Sequence, residues 1–172
     1  MKTASKVRTL TLSAAAASVV ISAIAPRPAD ATTTVTATIG VTAAVLSSCG
    51  VTALPLAFGT YSPSQSSNTT AQTTVAVTCT NGTPYNVGLD AGTGTGASVA
   101  SRKLTSGSNT LTYSLYQDSG YSTVWGNSIG SNTLTGTGSG LIQTINVYGS
   151  VTALQAVPAG SYTDTVTVSL TY

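Results

Sequence analysis

Tyr162-Thr163-Asp164-Thr165-Val166-Thr167-Val168-Ser169-Leu170-Thr171-Tyr172 is the stretch that decides the fold. Its period is two. Asp164, Val166, Val168, Leu170 and Tyr172 fall on one face of an extended strand, and Thr165, Thr167, Ser169 and Thr171 on the other. Strict alternation of this kind marks a half-buried pleat rather than a helix. The same signal recurs near the other end, where Val35, Ala37, Ile39, Val41, Ala43 and Val45 alternate with Thr34, Thr36, Thr38, Gly40, Thr42 and Ala44.

Between these ends no stretch carries a helical period, and Thr, Val and Tyr supply the residues suited to strands. The chain therefore reads as all-β. Further strands are predicted over 51–58, 73–80, 85–90, 111–117, 121–125 and 141–148, besides 35–45 and 162–172. Turn chemistry separates them at Ser62-Pro63-Ser64, Asn81-Gly82, Gly92 to Gly96, Ser106-Gly107, Gly136 to Gly140 and Pro158-Ala159-Gly160. Short strands at this spacing indicate a sandwich.

The first 31 residues read as a signal peptide, with Lys2, Lys6 and Arg8 preceding an apolar run from Leu10 to Ala25 and small residues at Ala29-Asp30-Ala31. A membrane anchor is the competing reading. The run is about 16 residues against the roughly 20 that a spanning helix needs, and Pro26 and Pro28 end it. Setting the segment aside leaves Arg102 and Lys103 against Asp90, Asp118 and Asp164, a net charge of −1. That balance supplies no basic patch for nucleic acid or an anionic membrane surface.

The remaining residues make one domain large enough for its own core. Cys49 and Cys79 are the only cysteines, and in an exported chain they most simply form one disulfide, adding on the order of 3 kcal/mol. Without histidine they are a poor zinc site, so neither a metal nor another cofactor is expected. The lack of histidine excludes Ser-His-Asp and Cys-His sites, and three scattered Asp without Glu make a poor glycosidase pair. The Gly92 to Gly96 run leads into no helix that could hold phosphate and reads as a loop. An enzyme acting on a small-molecule substrate is therefore not expected.

Three smaller readings follow from residue type. Arg102 and Lys103 are expected as a solvated pair at a strand start, and Asp164 as a cap on turn amides near Gly160. Tyr113, Tyr116, Tyr121 and Trp125 are expected in core or end packing, with a sugar-binding aromatic surface as the alternative.

Residues 32–48 contain no Lys, Arg, Asp, Glu or Pro, and 35–45 extended would span about 36 Å at ~3.3 Å per residue. Long uncharged edges are normally suppressed because they template pairing between chains. The segment is thus either an ordinary first strand of a closed sandwich or a strand meant for another subunit.

From Cys49 onward the chain resembles the spore coat protein U family, whose members include subunits of archaic chaperone-usher pili. The resemblance rests on Val147-Tyr148-Gly149, on Val157-Pro158-Ala159-Gly160-Ser161-Tyr162 running into the strand quoted above, on Leu111-Thr112-Tyr113-Ser114-Leu115-Tyr116 with Trp125-Gly126, on Arg102-Lys103-Leu104 and on the two cysteines. It implies an immunoglobulin-like sandwich that is incomplete and is completed by donor-strand exchange. A donor segment over 32–48 would precede a pilin-like domain over 49–172. Val35, Ala37, Ile39, Val41, Ala43 and Val45 would then be donor positions, with Ala37 and Ala43 small for groove filling. Val166, Val168, Leu170 and Tyr172 would flank the acceptor groove, and Cys49 would pin the base of the donor through Cys79. The implied partners are identical or homologous pilus subunits, a periplasmic chaperone and an outer-membrane usher. The implied route is secretion through the periplasm to a surface pilus or coat.

Overall fold

A computed structural model describes residues 32–172, so the signal peptide expected over 1–31 lies outside the described residues. The chain divides into two units, Met1–Thr42 and Ala43–Tyr172. In the first, residues 32–42 form no strand and are exposed throughout.

The second unit holds eight strands: β1 Cys49–Ala53, β2 Thr69–Cys79, β3 Pro84–Leu89, β4 Arg102–Ser106, β5 Asn109–Tyr116, β6 Leu134–Thr137, β7 Ile142–Val151 and β8 Val168–Thr171. They form two antiparallel sheets, one ordered β1-β2-β7-β5-β4 and the other β6-β3-β8. Alternation places the core. Val75 and Val77 of β2, Leu111, Tyr113 and Leu115 of β5, and Val147 and Val151 of β7 turn inward from the first sheet, and Tyr85, Val87 and Leu89 of β3 meet them from the second. This is an all-β, immunoglobulin-like sandwich. The disulfide is formed, joining Cys49 to Cys79 at directly opposed positions of β1 and β2.

Five elements differ from the expectation: the strand expected over 35–45 is absent, the one expected over 51–58 is instead Cys49–Ala53, since Pro55 has no N–H to continue the ladder, and three more follow. β4 begins on Arg102-Lys103, charges that read as solvent-facing, and β6 is a Thr/Gly tetrapeptide with no apolar alternation; neither was predicted. Residues 121–125 form no strand, making only a bridge between Val124 and Tyr116. There the Asp118 carboxylate captures the backbone N–H groups of Ser122 and Thr123 and the Ser122 hydroxyl, closing a turn that the Tyr-Ser-Thr-Val-Trp pattern does not announce.

Trp125 and Arg102 lock the sheets together. Trp125 is fully buried, and its indole Nε1–H donates to the Val87 carbonyl at 2.9 Å. Arg102 is also fully buried, which corrects the expectation of a solvated pair. Its guanidinium donates to the carbonyls of Asp90 (2.8 Å), Val99 (2.7 Å), Leu89 (3.0 Å) and Trp125 (2.7 Å), gathering three chain segments on one side chain. Burial lowers its pKa from the usual arginine value, with Tyr113, Asp90 and Asp164 opposing. A buried charge is tolerated only when hydrogen-bonded in this way.

Removing the guanidinium would strand four carbonyls, so Arg102→Leu is expected to cost about 3–5 kcal/mol, read as a fall in the urea midpoint. Lys103→Ala, one residue along, should stay within about 0.5 kcal/mol.

Candidate functional site

Each sheet ends on a strand with one free edge. Among the described residues β1 pairs only with β2, and β8 only with β3, yet β1 and β8 lie against each other across the end of the sandwich. The hydrogen-bond pattern shows which backbone groups face the gap. Thr167 accepts from the Asp90 N–H at 3.1 Å and donates its own N–H to Asp90 Oδ1 at 2.9 Å, so its main-chain groups point towards β3. By the period of two, the N–H and C=O groups of Val166, Val168 and Leu170 point to the open side. On the facing strand the Ser48 carbonyl and the Leu54 N–H bond to Thr80 and Thr74, which turns the main-chain groups of Val51 and Ala53 to the gap.

Between these edges lies a cavity of about 280 Å³. Leu54, Leu56 and Phe58 form one wall, Val166 and Val168 the other, and the core residues Val75, Leu89, Leu115 and Val147 the floor. Native interiors seldom leave voids larger than a water molecule, so the core is incomplete on this side. The alternation expected for 162–172 is present as half-buried inward and exposed outward positions, although only Val168–Thr171 are in ladder register. Of the expected groove residues, Val166 and Val168 line the cavity, Leu170 packs further along the same face, and Tyr172 is 60% exposed and outside it. The expected donor side chains Val35, Ile39, Val41 and Val45 are 84–90% exposed, and no part of 32–48 is in a strand.

Two carboxylates hold the part of the edge that the ladder does not. Asp164 Oδ1 accepts from the Thr93 N–H (2.8 Å), the Thr93 hydroxyl (3.0 Å) and the Thr165 N–H (2.8 Å), and Oδ2 accepts from the Tyr113 hydroxyl (2.7 Å). The partner loop expected near Gly160 is therefore the Gly92–Gly96 loop instead. Gly92 sits at φ +79°, and a side chain there would collide with the Asp164 carboxylate, so glycine is required for the clamp to close. Asp90 works in the reverse sense, reaching from the end of β3 to Thr167 and to the Gly92 N–H. Sequence reading missed this reciprocal arrangement because its partners lie 71 and 77 residues apart.

Burial pushes the Tyr113 hydroxyl far up, helped by its bond to Asp164. At Asp90 burial acts to raise the pKa, but the hydrogen bonds from Thr167 and Gly92 and the charge of Arg102 outweigh it, leaving it below 3.8. A carboxyl depressed in the folded state stabilises the fold above its unfolded pKa and loses that contribution as pH falls through the folded value. Urea midpoints should therefore decline as pH drops below about 4. Asp90→Asn should flatten that decline.

Among the described residues, no group of three or more His, Cys, Asp or Glu could hold a metal ion. What the groove offers is apolar side chains flanked by two rows of unsatisfied backbone groups, the surface that an added β-strand fills.

Comparison with known proteins agrees with this architecture. The Spore Coat Protein U domain matches residues 35–169. Over 87 residues the chain is 38% identical to Protein U of Myxococcus xanthus, spanning 49% of this chain and 48% of that protein, so about half of the relative's length is accounted for. Among solved structures it is similar to a chain of the CsuC-CsuE chaperone-tip adhesion subunit pre-assembly complex from archaic chaperone-usher Csu pili of Acinetobacter baumannii. That likeness has a TM-score of 0.57 at 24% identity, covers 74% of this chain and 40% of the other, and bears on the fold. An immunoglobulin-like sandwich with an open groove and a domain match over most of its length place this chain in the Spore Coat Protein U domain family.

Proposed function

We propose that the protein is a structural subunit of a secreted surface fibre, in which the N-terminal segment of one copy fills the groove of the next. The observation that carries this reading is the groove itself, open along both β1 and β8 and backed by an unfilled core. The occupant is residues 32–48, an uncharged segment with alternating aliphatics that is exposed and lies in no strand. Val35, Ala37, Ile39, Val41, Ala43 and Val45 face the groove in the joint, and Val166, Val168 and Leu170 border it, with Tyr172 beyond its end.

Energetics constrain how the joint is made. Four aliphatics at ~1.5–3 kcal/mol each give about 6–12 kcal/mol, against an association cost of ~4–15 kcal/mol. Side chains alone leave the joint marginal. The remainder comes from the two backbone rows and from completing a core that is otherwise open to water. A groove of this kind needs covering before assembly, which is the part of a periplasmic chaperone, with an outer-membrane usher guiding subunits to the surface. The fibre then supports adhesion or biofilm formation.

Val41 is 87% exposed, so Val41→Asp should leave the fold intact by circular dichroism while fibres disappear from electron micrographs. Deleting Thr32 to Val45 should do the same. If either variant assembles normally, the N-terminal segment is not the donor. A wild-type chain that stays monomeric on size exclusion would instead mark a self-contained coat protein.

A further inference from the structure

Small polar residues dominate the outer face of the five-stranded sheet, with Ile142 at the end of β7 and Lys103 on β4, and aromatic rings gather on it at one place. Gln72, Tyr148 and Tyr116 are consecutive cross-strand partners on β2, β7 and β5, so their side chains share a face. Their sequence neighbours Val147 and Leu115 point into the core, which puts this row outside. Tyr121 closes over it, its ring 5.6 Å from Tyr116 and 6.3 Å from Tyr148, both edge to face.

Tyr121 is held there at a conformational cost. Its φ is +54°, the left-handed region that a bulky residue enters at a penalty of order 1–3 kcal/mol. The turn carrying it is clamped by Asp118, whose carboxylate is pulled down to about 2, chiefly by its bond from the Thr123 N–H. A left-handed residue in a clamped turn invites glycine, yet an aromatic ring is presented instead. The core does not need it, since the ring lies on the far side of β5 and β7 from the buried cluster.

The chemistry of the patch selects its ligand class. Three half-exposed rings offer apolar faces, while the hydroxyls of Tyr116, Tyr121 and Tyr148 and the amide of Gln72 have no hydrogen-bond partner among the described residues. Asn146, two residues from Tyr148 on the same face and opposite Thr74, adds a second unpartnered amide. No Lys or Arg stands in the row to receive a phosphate or an acidic sugar, and the one nearby carboxylate, Asp118, is consumed by its turn. We infer that Tyr116, Tyr121, Tyr148, Gln72 and Asn146 form a binding surface for a neutral polysaccharide. The rings stack on sugar C–H faces, and the amides and hydroxyls bond sugar hydroxyls. This surface is separate from the β1–β8 groove and does not depend on how that groove is filled.

The test is retention of the full secreted chain on insoluble cellulose and chitin, with alginate as the anionic comparison. Wild type should be retained on at least one neutral polymer and not on alginate. Tyr121→Gly relieves the strained φ, so it should lower retention at least tenfold while the melting temperature holds or rises. Gln72→Ala, at an exposed amide, should weaken retention several-fold with no change in melting. Failure of wild type to bind either neutral polymer, equal retention on alginate, or unchanged retention of Tyr121→Gly would overturn the assignment. So would a lowered melting temperature for Tyr121→Gly, which would make the ring a fold stabiliser, or loss of self-association in sedimentation, which would assign the patch to a second copy of the chain.

Discussion

The unpaired backbone between β1 and β8 is the constraint on which the rest of the molecule turns. A sandwich can expose an edge, but here two edges face each other across an opening into the core. Left empty, that opening leaves Val75, Leu89, Leu115 and Val147 lining a cavity instead of packing against a further layer of side chains. Closing it from within would need a ninth strand. The features that surround the gap can be understood as ways of keeping it open and straight.

Pro55 and the clamp at Asp164 show how. Pro55 has no N–H and follows β1 closely, so the first sheet's edge stops where the cavity begins, and Leu54, Leu56 and Phe58 become wall rather than ladder. Leu56 and Phe58 rest on Gly149 of β7, where a side chain would meet each of them at 2.8 Å, so this part of the wall needs a bare backbone beneath it. On the opposite side, residues 164–167 run ahead of the β8 ladder and would fray without Asp90 and Asp164. The disulfide fixes β1 to β2 at the end of the groove remote from that clamp. Both borders are thus anchored away from the ladder that an incoming strand would complete.

How much of this the residues announce depends on range. The all-β class, the alternation of 162–172, the disulfide and the Gly92–Gly96 loop are legible because each rests on local period or on residue type. The strand over Leu111 to Tyr116 is legible for the same reason. β4 is not, because Arg102 looks solvated until four carbonyls converge on it from segments as far as 23 residues away. β6 is not, because its pairing with β3 and not its own pattern makes it a strand. The tyrosine cluster falls between these cases. Tyr116 and Tyr121 were marked as one group with Tyr113 and Trp125, but the pleat sends Tyr113 inward while Tyr116 faces out, and Tyr148 joins only through the β5–β7 register.

Charge usage ties these features together. Residues 32–172 hold five formal charges. Arg102, Asp90 and Asp164 share one network behind the groove, Asp118 is spent on a turn, and Lys103 remains on β4. The charged groups act as internal braces, and the surface left over is nearly neutral. Neutral surfaces favour association, because copies brought close do not repel and little depends on ionic strength. In a globular monomer that would be a liability; in a chain proposed to assemble through its open groove, it removes the main long-range force that would hold copies apart.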